Sequence, residues 1–114
     1  MARYAVLTDC TDPALAVDNG HLAKADAWVD GQLRAHGINP ADIVLPQALL
    51  TDLAAAYAQQ QAAIEQSRDD GVLMTKAREY RQMAAQLASL LTREALGIAA
   101  PTGSGFGFFT LGRG

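Results

Sequence analysis

The sequence predicts an all-α fold: a small bundle of three long helices plus a short helical turn, with an extended C-terminal arm rich in glycine and phenylalanine. Three observations predict it. Apolar residues recur every three or four positions through three segments between Asn19 and Leu96, the spacing that gathers them on one helix face. Residues that stop and start helices separate those segments. Three segments of that length leave almost no chain for strands.

The first segment runs from about Asn19 to His36, with Leu22, Ala25, Val29, Leu33 and His36 as its stripe and Trp28 at its edge. Asp18 or Asn19 suits its N-cap, and Gly37 is placed like a C-cap. Asn39-Pro40 then reads as a cap followed by a first-turn proline, which opens the short turn from Pro40 to Val44. Pro46 opens the second segment, which extends to about Ser67. Its stripe is Leu49, Leu50, Leu53, Ala54, Tyr57, Gln61 and Ile64, while Gln59, Gln60 and Gln66 face elsewhere. Asp69-Asp70-Gly71 is a turn that can cap the third segment. There Leu73, Ala77, Tyr80, Ala84, Leu87 and Leu91 form the stripe, widened by Met83 and Leu90. This segment is expected to continue to Leu96, where Gly97 and Pro101 end it. Residues 1–97 thus form one helical domain, and residues 98–114 the arm.

Composition narrows the functional classes. A chain of 114 residues, half of them apolar and 18% charged, fits one folded domain and not a disordered chain. One cysteine cannot make an internal disulfide, so a reducing compartment is expected. No run of 18 apolar residues occurs, which predicts no membrane-spanning helix, and Met1 to Leu7 is a poor secretory signal. The net charge of −3 lacks the basic footprint of a dedicated nucleic-acid binder. The charge is uneven, however. Residues 1–66 carry eight acids and three bases, whereas residues 67–114 carry six bases and four acids. Such a bias suits packing between copies or two different partners, and equally ordinary solvated helix faces.

No catalytic, cofactor or metal site is expected. Cys10 needs a neighbouring histidine to act as a nucleophile, and His21 and His36 would stand about 22 Å apart on one helix, so at most one could serve. Asp26 and Asp30 share a helix face without a third ligand and read as a solvated pair. Gly103-Ser104-Gly105-Phe106-Gly107 lacks the lysine and the following helix of a phosphate loop. Lys76, Arg78 and Arg81 would suit one wall of a conduit for nucleic acid, but Glu79 and the two aspartates at 69 and 70 dilute them.

The arm carries the strongest signal. Phe106, Phe108, Phe109 and Leu111 are spaced among Gly103, Gly105, Gly107, Gly112 and Gly114, and glycine makes ordering such a segment entropically costly. Aromatic groups there are expected to be partner-binding residues. In an extended conformation Phe106 and Phe108 share one side and Phe109 takes the other, as in a strand added to a partner's sheet edge. The alternative is that the arm folds back to cap its own helices.

The order of elements resembles a known family. A short stretch Tyr4-Ala5-Val6-Leu7-Thr8-Asp9 precedes a helix containing Ala25-Asp26-Ala27-Trp28-Val29-Asp30. The loop Gly37-Ile38-Asn39-Pro40 follows, then an alanine-rich helix with Leu49 to Ala58, and then a long helix with Arg78-Glu79-Tyr80-Arg81. Over residues 4–97 this is similar to the head–tail connector (adaptor or head-completion) proteins of tailed bacteriophages and prophages. The resemblance implies a structural protein of the virion neck, assembled in the host cytoplasm, with no catalytic residue and no cofactor. It implies a homo-oligomeric ring of about a dozen copies, a portal protein above it and a further connector or tail-completion protein below. DNA would pass through its channel without sequence recognition, and no membrane is involved. The rival expectation is a small cytosolic helical interaction or regulatory module that binds through a face containing Tyr57 and Tyr80.

Overall fold

The computed structural model describes residues 3–67 and 71–98. Within them the chain is helical and forms no strand. Three α-helices follow one another, α1 (Asn19–Ala35), α2 (Ala48–Ser67) and α3 (Gly71–Ala88), with single 3₁₀ turns at Leu7–Asp9 and Pro40–Asp42. The all-α expectation is met. The arm from 99 onward, with Phe106, Phe108, Phe109 and Leu111, lies outside the described residues, as does the proposed cap at Asp69-Asp70.

Caps explain where α1 begins and ends. The Asp18 carboxylate accepts from the His21 backbone N–H at 3.1 Å, and the Asp18 N–H donates to His21 Nδ1 at 3.1 Å. This reciprocal pair satisfies two otherwise orphaned groups, with histidine in the place usually held by glutamate. At the other end Gly37 adopts φ +74°, Ile38 N–H bonds Leu33 C=O and Gly37 N–H bonds Arg34 C=O. That is a Schellman closure, and it turns Ile38 into the core beside Leu33, both fully buried. His36, counted in the sequence stripe, is exposed instead, because the closure takes the chain off the helical path there.

Helix α2 is the centre of the molecule and packs against α1 on one side and α3 on the other. A helix covered on two sides is buried around most of its girth. Leu50 and Leu53 are fully buried, and so is nearly every alanine of the row Ala54, Ala55, Ala56, Ala58, Ala62 and Ala63. Their small side chains allow both neighbours to approach closely. Gln59, expected to face away, is buried at 6% exposure, while Ile64 from the expected stripe is exposed. A one-sided stripe therefore describes α2 poorly. Trp28 of α1 stacks flat on Tyr57 of α2, with ring centroids 4.5 Å apart, so the two helices meet over a pair of aromatic faces.

Helix α3 is shorter than its periodicity predicts. It ends at Ala88, not near Leu96. Ser89 Oγ donates to the Gln86 carbonyl at 2.6 Å, and Thr92 Oγ1 accepts from the Ala95 N–H at 3.0 Å. These hydroxyls compete locally with the helical ladder and start a fresh turn. That turn has its own Schellman closure at Gly97, with φ +71°, Ile98 N–H on Arg93 C=O and Gly97 N–H on Glu94 C=O. Gly97 is thus a C-cap, but of a separate turn. The break lets both Leu91 and Leu96 reach the core, each 2% exposed. A straight helix would hold these residues, five apart, about 140° from a common face. Met83 and Leu90, expected to widen the buried stripe, are 46% and 56% exposed.

Candidate functional site

The N-terminal segment is bound to the helices by side chains that the sequence reading left unused. Asp26 accepts from the Arg3 and Tyr4 backbone N–H groups at 2.8 and 3.3 Å, and the Tyr4 hydroxyl donates to Asp30. The Arg3 guanidinium reaches the Pro40 carbonyl at 2.8 Å, and Thr51 Oγ1 donates to the Tyr4 carbonyl at 2.9 Å. Asp26 and Asp30 are therefore half-buried anchors and not a freely solvated pair. Burial and the adjoining Asp30 push the Tyr4 phenol well above its ordinary value.

The densest polar cluster lies where this segment crosses α2 and α3. Asp12 is its hub, with a side chain only 9% exposed. Its Oδ2 accepts from Lys76 Nζ at 2.7 Å and from the Tyr80 hydroxyl at 2.9 Å, and its Oδ1 accepts from the Ala14 N–H at 2.9 Å. The Asp12 N–H donates to Gln59 Oε1 at 3.2 Å, and Gln59 Nε2 donates to the Ala55 carbonyl at 3.2 Å. The Tyr80 hydroxyl also lies 3.3 Å from Gln59 Oε1. Having one proton, it gives the shorter and charge-assisted bond to Asp12. The Lys76 ammonium and then the Ala14 N–H hold the Asp12 carboxyl below the usual carboxylate range. Tyr80 moves the other way, up to about 12, through burial and then the Asp12 carboxylate.

Beside this cluster a cleft of about 370 Å³ opens between α2 and α3. Asp52, Ala55 and Ala56 of α2, Tyr80, Met83 and Leu87 of α3, and Asp9 of the N-terminal segment line it. Chemically it is a mixed cleft, with Thr11, Gln59, the Tyr80 phenol and two aspartates beside alanine, methionine and leucine side chains. A second cleft, near 590 Å³, separates Val6 and Leu7 from Leu22 and Asp26 of α1.

The remaining sequence candidates are dispersed. Cys10 is half-buried near Tyr80, and burial followed by the nearby Asp9 raises its thiol, away from a reactive thiolate. His21 sits at the start of α1, where the Asp18 N–H occupies Nδ1 and leaves Nε2 to donate to Glu65 at 3.1 Å. Glu65 also faces Lys24 at 3.7 Å, so this group ties α1 to α2. His36 lies at the opposite end of α1. Tyr57 and Tyr80 do not form one face: the first stacks on α1 and the second bonds across the α2–α3 junction. Among the described residues no three histidine, cysteine or acidic side chains gather as metal ligands, and no helix is long and apolar enough to cross a membrane.

Sequence reasoning missed Asp12 and Gln59. Asp12-Pro13 carries a turn signal that accounts for the Ala14 bond, but nothing local marks a glutamine as buried when two helices cover it. No protein-family model, curated protein or solved structure matches the chain.

Proposed function

We propose that this chain is a structural assembly subunit, one copy of a head–tail connector ring of a tailed bacteriophage or prophage, placed beneath the portal in the virion neck. In this reading it is not an enzyme. It extends the DNA channel and presents a docking surface to the next tail component. The observation that supports an assembly role is the set of exposed apolar side chains on α3 and just beyond its end. Val72 and Met83 lie on α3 and Leu90 in the turn that follows it, and they are 67%, 46% and 56% exposed. Exposed apolar side chains of this size suit a surface that a neighbouring subunit covers. A closed ring of identical subunits covers one such surface on every copy. The order of helices over residues 4–97 is the feature shared with the connector resemblance, whereas the glycine- and phenylalanine-rich arm (Phe106, Phe108, Phe109 and Leu111), outside the described residues, departs from some members of that family.

Light scattering of the purified chain, alone and mixed with portal protein, tests the proposal. A ring mass, or a complex of ring size with portal, is expected, and Leu90→Asp combined with Val72→Asp should reduce it to monomer while far-UV circular dichroism stays unchanged. A chain that remains monomeric with portal protein and is missing from purified virions would overturn it, and would favour a small cytosolic interaction or regulatory module.

A further inference from the structure

The mixed cleft between α2 and α3 carries two exposed carboxylates, Asp9 and Asp52, and neither takes part in an ion pair among the described residues. On the other flank of α3, Arg78 and Arg81 are exposed and likewise form no ion pair among the described residues. We propose that these two surfaces meet between copies of the chain, the arginine flank of one subunit seating in the α2–α3 cleft of the next. This deepens the assembly reading, which supplies the second copy, by naming the contact that joins neighbours.

Spacing along α3 keeps the two surfaces apart. Ala77, Ala84 and Ala88 are buried and mark the line on which the helix rests against the bundle. Tyr80, Met83 and Leu87 line the cleft on one side of it. Met74, Arg78, Arg81 and Ala85 recur at four, three and four residues, are all exposed, and fall on the other side. With 3.6 residues per turn, the centre of the arginine flank stands about 160° around the helix from the centre of the cleft wall. Glu79, the one acid of α3, lies nearer the cleft wall than the arginines. A contact between such surfaces does not pair with itself. When one subunit seats its arginines in a neighbour, the neighbour's own arginines point away, ready for a third copy. That head-to-tail arrangement closes into a ring when the rotation between subunits allows it.

Chemistry matches the geometry. An arginine is an apolar stem ending in a planar cation, and the cleft offers both parts a partner. Ala55, Met83 and Leu87 suit the stem, while the Tyr80 ring and the two carboxylates suit the guanidinium. Asp9 spends only Oδ2 within its own chain, on the Val6 N–H at 2.8 Å. The more buried Asp12 is already engaged by Lys76, so Asp9 and Asp52 are the acids left for a neighbour. A subunit seated there also covers Met83, one of the exposed apolar side chains that support an assembly role. Opposite charges on the two surfaces set the orientation of the contact and speed its formation.

Charge reversal on each surface, read by light scattering and sedimentation, tests this. The wild-type chain should associate with rising concentration, and less as salt is raised. Arg78→Glu/Arg81→Glu on one surface and Asp52→Lys on the other should each weaken association by about tenfold, with helical dichroism retained. An equal mixture of the two variants should regain association, because the lysine cleft accepts the glutamate flank and the intact cleft accepts the intact arginines. Regain on mixing cannot come from misfolding. Association equal in wild type and both variants would overturn this contact and leave the assembly reading to another surface. A mixture that regains nothing would also overturn it. A wild-type chain monomeric up to millimolar concentration would do the same, while the assembly reading keeps its separate test with portal protein. Salt-sensitive association that mixing restores, in a chain missing from purified virions, would uphold the contact and remove the connector reading.

Discussion

Asp12 shows how much one side chain can hold. It joins a loop to two helices through Lys76, Tyr80 and Gln59, and its carboxylate accepts three hydrogen bonds. Asp12→Asn keeps the shape but removes the charge assistance, and should lower stability by about 1–2 kcal/mol in urea titrations at neutral pH. The pH dependence follows from the same bonds. The folded carboxyl titrates below its ordinary value, so its contribution is complete above the unfolded value near pH 3.9 and is lost as the pH falls through the folded one. Wild type should therefore lose stability more steeply than Asp12→Asn below about pH 4. Tyr80 acts at the other extreme. Its folded value is about 12, so its contribution is complete below the unfolded value near pH 10 and disappears as the pH climbs toward the folded one. Tyr80→Phe should flatten that alkaline loss, measured by the same titrations between those limits, with Tyr4 supplying what remains.

Helix ends, more than helix interiors, determine the course of this chain. Gly37 and Gly97 both occupy the left-handed region, at φ +74° and +71°, and each turns an isoleucine toward the core. A side chain at Gly37 meets no atom within 4 Å, so Gly37→Ala is a test of backbone strain alone and should cost about 1–2 kcal/mol. Gly31 is the control. It lies on the exposed side of α1 in ordinary helical conformation with open space around it, and Gly31→Ala should stabilise by about 0.5–1 kcal/mol. Thermal melts of the two variants should move in opposite directions. The end of α3 follows the same logic, since the hydroxyls of Ser89 and Thr92 interrupt a pattern that leucine spacing alone would continue.

At the scale of the molecule, α2 is a central rod with α1 and α3 laid along it, and the N-terminal segment strapped across by Asp26, Asp30 and Asp12. Helices held by this internal core do not need the arm for their packing. Deleting residues 101–114 should leave helical dichroism nearly unchanged while abolishing any complex with a partner ring in light scattering. Collapse of the helices on deletion would mean that the arm is part of the core.

The number, order and approximate bounds of the helices could be read from the chain, because apolar spacing, Asp18, Gly37 and Asn39-Pro40 act within a turn or two of themselves. The buried stripe of α1 from Leu22 to Leu33 was legible for the same reason. The premature end of α3, the burial of Gln59, the exposure of Ile64 and Met83, and the Asp12 cluster were not. Each depends on which element lies alongside. Gln59 is buried only because α3 covers α2 opposite α1, and Asp12 finds Lys76 across 64 residues of sequence. Local backbone preferences belong to short stretches of chain, whereas burial and charge pairing belong to surfaces that exist only after the helices have met.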